Sequence, residues 1–326
     1  MDKVFKKKVI GIDIGISVTT IAVVDQRGRI LATDSMSTAD YPIVNGFIEA
    51  LSDRIVMLAE NNGGYECIRS VGICAPSANY LSGCIENASN IPWKGIIPMT
   101  AMLRDRIGLA VALANNAHVT ALGEYVYGSA HGMDCFAVIS LGHGGVGSCF
   151  YTKGIPHLGA KGSAGEIGHV CVEDGGRLCN CGRRGCLERY LSKHGIVQTA
   201  REFMDSSDKP SLMRDLQELS IQTICECCEK NDEMAIEVFR MSGLMFGVYL
   251  ANYATVINPE AIILTEVSSL VGKWLMPPLE ESFNEHVFPN IRGKVKLLIS
   301  ELDNHECDVL GASALAWTVK EYSLFK

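Results

Sequence analysis

No apolar run in this 326-residue sequence approaches the length of a membrane span, so a bilayer-embedded protein is not expected. The basic start, Lys3, Lys6, Lys7 and Lys8, leads straight into an apolar strand and not into a signal-peptide core with a cleavage site. Positive charge is also scarce: 29 Lys and Arg against 37 Asp and Glu leave a net charge of -8, which gives no field to hold a polyanion. Together these absences predict a soluble, cytoplasmic protein with neither nucleic acid nor membrane as direct partner. A disulfide framework is missing as well. The thirteen cysteines are odd in number, and Cys67, Cys74, Cys135 and Cys149 stand singly in apolar segments, where they read as small buried hydrophobes.

What is present is a chain 48% hydrophobic and 20% charged, long enough for two domains with separate cores. Strands are expected at Val9 to Ile14, Thr19 to Asp25 and Arg29 to Asp34, broken by Gly15 and by Gln26-Arg27-Gly28 as in a meander. A helix near Ile43 to Leu58, a strand Ile68 to Ile73, a helix Met99 to Arg106, a strand Leu109 to Ala114 and a helix Ala117 to Tyr127 follow. From Cys135 the pattern begins again, with strand Phe136 to Ser140, a glycine-rich turn Gly142 to Gly147 and a strand through Tyr151, suggesting two similar halves. Helices dominate from Leu187 to Ile257. A strand Ala261 to Leu264, a helix Leu270 to Phe283, a strand Val295 to Ser300 and a terminal helix from Leu310 complete an α/β pattern.

Between Gly159 and Gly185 the chain is too rich in glycine, cysteine and charge for regular structure, so something other than a core must order it. His169, Cys179, Cys181 and Cys186 supply one imidazole and three thiolates, a closed tetrahedral set of the kind structural zinc prefers. Such a set leaves no position for a catalytic water and would order the loop instead. Cys171 is a nearby competitor for ligand duty. Cys225, Cys227 and Cys228 have no histidine nearby and read as helix packing.

The residues resemble the ROK family of sugar kinases and sugar-responsive repressors, especially its glucokinase-like members. The resemblance runs through Gly11-Ile12-Asp13-Ile14-Gly15, Gly72 to Pro76, Asn90-Ile91-Pro92-Trp93, Gly123-Glu124, Gly165-Glu166-Ile167-Gly168-His169, the Cys179 to Glu188 run and Gly311-Ala312. It implies an actin-like (ribonuclease H-like) fold in which two α/β domains close around a hexose with Mg-ATP in the same cleft. The expected division is 1–117, rejoined by a C-terminal helix over 311–326, and 118–310, carrying a zinc loop over 159–188. It further implies that Asn90, Asn115, Glu166, His169 and Glu188 hold sugar hydroxyls, with His169 serving zinc through one ring nitrogen and the sugar through the other. Ala75, Ser77 and Tyr80 are candidate discriminators among sugars, and a homodimer is the common family state. A DNA-binding helix-turn-helix is not expected, because the kinase-like strand starts by Val9.

Against the family pattern the phosphate side departs. The base for phosphoryl transfer is normally the Asp of an Asn-Asp-Ala-Asn run, and this chain reads Asn115-Asn116-Ala117-His118. The amide of Asn116 cannot accept a proton at neutral pH, and losing a general base costs on the order of 10² to 10⁴-fold in rate; His118 is the alternative base. The first phosphate loop has Asp13, Gly15 and Ser17 but Ile16 in place of a second glycine. The second, Gly142-His143-Gly144, has an imidazole where a hydroxyl is usual. The third, a glycine triplet in the family, carries Glu266, whose charge disfavours a nucleotide. The expected function is therefore hexose or N-acetylhexosamine binding with ATP-dependent 6-phosphorylation lost or strongly reduced, the alternative being an active glucokinase-like hexose kinase.

Overall fold

The computed structural model describes residues 6–88, 91–142, 145–302 and 307–319. It divides into two compact units, described separately. The first comprises the described residues of Met1–His131, Leu158–Ala164 and Glu301–Lys326. It opens with the meander β1 (Lys8–Ile14), β2 (Val18–Asp25) and β3 (Ile30–Ser37), then α1 (Val44–Glu60) and β4 (Ile68–Cys74). Three very short strands follow, β5 (Ala78–Asn79), β6 (Cys84–Glu86) and β7 (Ile96–Ile97), then α2 (Met99–Ile107), β8 (Ala110–Ala114) and α3 (Asn116–Tyr127). The main sheet has the order β3-β2-β1-β4-β8. β1 pairs antiparallel with β2 (Ile12 opposite Ile21) and parallel with β4 (Ile12 opposite Ile73).

One face of this sheet is covered by α1 and α2 through a core that includes Ile10, Ile12, Phe47, Leu51, Ile55, Ile73 and Leu103. Trp93 belongs to that core: its indole N–H donates to the Tyr41 carbonyl at 2.8 Å, and its ring lies 4.5 Å from that of Phe47. The other face carries the last described helix, Cys307–Thr318, which lies almost on the sheet backbone. A Cβ on Gly72 would stand 1.9 Å from the Ala312 carbonyl oxygen, and one on Gly311 would stand 2.2 Å from that of Val119. Glycine is therefore required where helix meets strand and where helix meets α3. Ser70 Oγ adds a 2.7 Å bond to the Ala316 carbonyl.

The second unit, Gly132–His157 with Gly165–Ser300, repeats the plan. β9 (Cys135–Gly142), β10 (Gly145–Thr152) and β11 (Ile155–Pro156) form its meander. A single 3₁₀ turn (Ile167–His169) precedes α4 (Glu188–Leu191), α5 (Lys193–Ser206), α6 (Ile221–Glu229), α7 (Glu233–Ile257), β12 (Ala261–Thr265), α8 (Ser269–His286) and β13 (Lys296–Ile299), which leaves α9 as the Cys307–Thr318 helix of the first unit. The sheet order β11-β10-β9-β12-β13 has the antiparallel and parallel pairings of the first unit in the same sequence, which is the expected pair of similar halves.

Several expectations need correction. The units divide after α3, at 131/132 and not at 117/118, because α3 packs on α9. The loop expected as one piece over 159–188 is split: Leu158–Ala164 groups with the first unit, where Asn79 Nδ2 donates to the Lys161 carbonyl at 3.3 Å. The last helix ends at Thr318, and 320–326 lie outside the described residues. Cys67 and Cys135 are only half-buried, whereas Cys74 and Cys149 are buried. The 25-residue α7 is in fact long and apolar enough to cross a membrane, but over half of that stretch is buried in the unit, against α8 among other elements. Cys225, Cys227 and Cys228 are core residues, as expected from helix packing.

Candidate functional site

The strongest constellation lies in the second unit. His169 ends the 3₁₀ turn, and its Nδ1 stands 3.6 Å from Cys179 Sγ; Cys181 and Cys186 Sγ atoms are also 3.6 Å apart. All four donor atoms lie within 4.8 Å of one another. A tetrahedron with metal–sulfur bonds of ~2.3 Å has edges of roughly 3.8 Å, so this donor set fits a tetrahedral thiophilic cation. With Nδ1 turned to the thiols, Nε2 on the far side of the ring remains for another partner.

Backbone geometry explains why these residues converge. Cys179 N–H donates to the Arg183 carbonyl at 2.8 Å and Gly182 N–H to the Cys179 carbonyl at 3.0 Å, closing a knuckle. At Gly185, φ is +75°, and a Cβ there would stand 1.7 Å from the Glu173 carbonyl oxygen. Arg177 ties the knuckle to the helices behind it: its guanidinium donates to the carbonyls of Arg189 (2.7 Å) and Gly195 (3.0 Å) and to Thr199 Oγ1 (2.9 Å), pairs with Glu202, and lies over the Tyr190 ring at 4.5 Å. The crowded thiols divide their charge unequally. The Arg183 backbone N–H, foremost, draws the Cys181 thiol down to about 6, and burial, foremost, pushes Cys186 up to about 12. Of these two thiols Cys181 is the more readily ionised. Cys171 is exposed and stands outside the four-donor group.

Glu188 opens α4, with Oε1 4.0 Å from Cys179 Sγ and Oε2 accepting from Val146 N–H at 3.4 Å. Its carboxylate thereby sits between the knuckle and the start of β10, where Gly145 has φ +138° and a Cβ would come within 2.1 Å of Glu188 Oε2. Glu166 heads the turn that ends in His169, whose N–H donates to the Glu166 carbonyl at 3.1 Å. The fold therefore places the backbone of Glu166 and the side chains of His169 and Glu188 at one four-donor knuckle. Asn90, His143 and Gly144 lie outside the described residues.

The segment expected as the third phosphate element carries Glu266, turned onto the protein itself. Glu266 follows β12 with φ +60°, a conformation that favours glycine. Ser140 Oγ donates to its Oε1 at 2.6 Å, Lys193 Nζ stands 3.7 Å from its Oε2, and a Cβ on Gly142 would meet Oε1 at 2.5 Å. The carboxylate is folded over the end of β9. Nearby, Gly145, Glu188, Lys193, Gln198, Arg201 and Ser220 line a cavity of about 680 Å³.

In the first unit, Asn115 caps α3, its Oδ1 accepting from His118 N–H at 2.8 Å. Asn116 is exposed and His118 is buried, its ring edge-on to Tyr80 at 5.3 Å. Burial lowers the His118 pKa to about 4. The imidazole is thus buried in the unit while Asn116 faces solvent. At the first phosphate loop, Gly15 N–H donates to the Val18 carbonyl at 3.0 Å, and Ile16, half exposed, occupies the tip beside exposed Ser17. Asp13, near the end of β1, lies opposite Cys74, whose thiol is pushed up by burial and then by the Asp308 and Asp13 charges. Ser77 holds φ +53° beside Pro76.

The ROK family model matches residues 9–319. The chain belongs to the ROK family. This ROK chain is 29% identical over 321 residues to a glucokinase of Halalkalibacterium halodurans, covering 96% of this chain and 94% of the relative. Its fold matches a ROK glucokinase of Streptomyces griseus, solved with glucose and AMPPNP, at a TM-score of 0.77 and 29% identity, covering 96% of this chain and all of that one. A ROK transcriptional regulator homologous to the E. coli MLC protein matches at a TM-score of 0.84 and 24% identity, covering 94% of this chain and 77% of the regulator, a likeness of fold. The mixed α/β architecture is thus the actin-like sugar-kinase fold of ROK proteins. Sequence reasoning missed Arg177 and Lys193. An arginine in a glycine-rich run offered a weak signal for the first; the second has none, since its partner Glu266 lies 73 positions away by the numbering.

Proposed function

We propose that this ROK protein binds a hexose or N-acetylhexosamine through Asn90, Asn115, Glu166, His169 and Glu188, and transfers phosphate from Mg-ATP to the sugar 6-hydroxyl slowly or not at all. The observation that carries the reading is Glu266. Its carboxylate, held by Ser140 and Lys193 over Gly142, puts negative charge and bulk where the family pattern has glycine. Like charge there opposes phosphate. Asn116 supports the same conclusion, since an amide takes no proton from a hydroxyl.

In this reading His169, Cys179, Cys181 and Cys186 hold Zn²⁺, which supplies order to the knuckle and fixes the His169 ring. Glu166 and Glu188 accept from sugar hydroxyls, while the Asn115 amide N–H₂ donates, its oxygen being engaged by the cap. Ala75, Ser77 and Tyr80 discriminate among sugars. Thirteen free thiols suit the reducing cytoplasm, and a homodimer is the proposed assembly, without direct nucleic-acid contact.

A second reading, an active glucokinase-like kinase, is favoured by the 29% identity to glucokinases and by the cavity whose Lys193 and Arg201 suit an anionic ligand. A coupled Mg-ATP assay over a hexose and N-acetylhexosamine panel, with sugar binding measured by calorimetry, separates the two. The first reading expects sugar binding with little turnover, and Asn116→Asp to raise any residual rate by roughly 10² to 10⁴-fold. Robust turnover by the unaltered chain would sink it.

A further inference from the structure

Cys171 stands outside the metal set, yet the backbone pairs it with one of the set's members. Val172 N–H donates to the Gly185 carbonyl at 2.8 Å and Leu187 N–H to the Val170 carbonyl at 2.9 Å, forming an antiparallel bridge between Cys171 and Cys186. Those two bonds flank the pair, so Cys171 and Cys186 face each other without bonding mutually. In that position α-carbons approach to about 4.5 Å and side chains lie on one side of the ladder. A disulfide spans ~4.4–6.8 Å between α-carbons, so no backbone movement is needed to form one. The Cys171 sulfur already rests 3.2 Å from where a Cβ on Gly185 would be, against the backbone leading into Cys186. Cys171 is exposed and Cys186 buried, so of this pair a small oxidant meets Cys171 first.

We propose that Cys171 and Cys186 form a peroxide-sensitive thiol pair whose oxidation withdraws Cys186 from the metal set. The Cys171 sulfur attacks a peroxide oxygen: the S–O bond forms, the O–O bond breaks, and hydroxide leaves as water with the thiol proton. Cys186 sulfur, leaving the cation, then attacks the sulfenic sulfur; the S–S bond forms, and the S–O bond breaks to release a second water with one proton from solvent. Two sulfurs are oxidised by one electron each and one peroxide is reduced to two waters. A bound cation would then keep His169, Cys179 and Cys181 and lose one of three thiolates. Thiol reductant reverses the step.

The inference rests on zinc occupying the set and is independent of which sugar binds. The zinc content of the purified full chain is measured first, and zinc release on addition of hydrogen peroxide is then followed with a chromogenic chelator, in the natural chain and in Cys171→Ser. Equal zinc loading in both, release slowed about tenfold in Cys171→Ser, and a Cys171–Cys186 linked peptide in the natural chain are expected. Full loading with equal release rates, or a Cys179–Cys181 or Cys181–Cys186 link in its place, would overturn the thiol pair alone. A chain without zinc would overturn the zinc assignment and this inference together.

Discussion

The metal knuckle and the Glu266 turn are both short, both lean on glycine, and both gather polar groups in the second unit, yet they end in opposite states. In the knuckle, an imidazole and three thiols converge within 4.8 Å, with the Arg183 guanidinium hydrogen-bonded to the Cys181 sulfur. At the turn, the carboxylate already has its hydroxyl from Ser140 and its ammonium from Lys193. Convergent donors that their own neighbours neutralise only in part make a site for something external. A group already paired makes a wall. By that criterion the knuckle is open to a ligand, whereas the Glu266 turn closes on itself.

The comparison breaks most severely if the knuckle keeps its shape without a cation. Chelation at neutral pH should release hydrogen-exchange protection over 165–188 and abolish sugar binding, since structural zinc contributes on the order of 10 kcal/mol to such loops. Exchange mass spectrometry with and without chelator checks it, and an unchanged pattern would show the knuckle to be ordered by Arg177 and the bridges alone.

His118 sharpens the contrast from the first unit, because it is another polar group already committed, here to burial. Its folded pKa of about 4 lies below the ordinary 6.5. The unfolded chain therefore takes up a proton that the folded chain refuses: the stability is fully present above pH 6.5 and is lost as pH falls toward 4. The loss should reach up to about 1.4 kcal/mol per pH unit across that window. Urea denaturation of the natural chain and of His118→Gln at pH 7 and pH 4.5 should show the variant losing less over the interval, with acid effects on the knuckle common to both. An identical loss would mean that His118 is open to solvent and still a candidate base.

The smallest expected effect tests the wall directly. Glu266→Gly restores a residue suited to φ +60° and removes the charge. Affinity for AMPPNP, read by calorimetry, should rise about tenfold if the carboxylate is the obstacle. No change would shift the blame to Ile16 or to Asn116.

The sequence was legible wherever a local rule dominated. The two meanders announced themselves by alternation and turn residues, and the knuckle by ligand chemistry at close spacing. What was not legible depended on distant partners or on very short elements. The strands β5, β6 and β7, two or three residues each, carry no periodicity to mark them in the sequence. Gly72 and Gly311 were quoted as parts of a family pattern, but only the fold reveals that each makes room for a backbone carbonyl. The unit boundary moved past α3 for the same reason. Lys193 and Glu266 meet through tertiary structure, so the charge of Glu266 could be read but not its partner.

The helix α9 carries a consequence for how the chain is made. It lies directly on the strands that the ribosome produces first, through Gly11, Gly72 and Ser70. One face of the opening sheet therefore stays bare until residues beyond 307 have emerged, while the segment 165–300 has already supplied most of the second unit. Nascent chains complete their units in the order in which the parts become available. In this protein the half that is synthesised first is the half that finishes folding last.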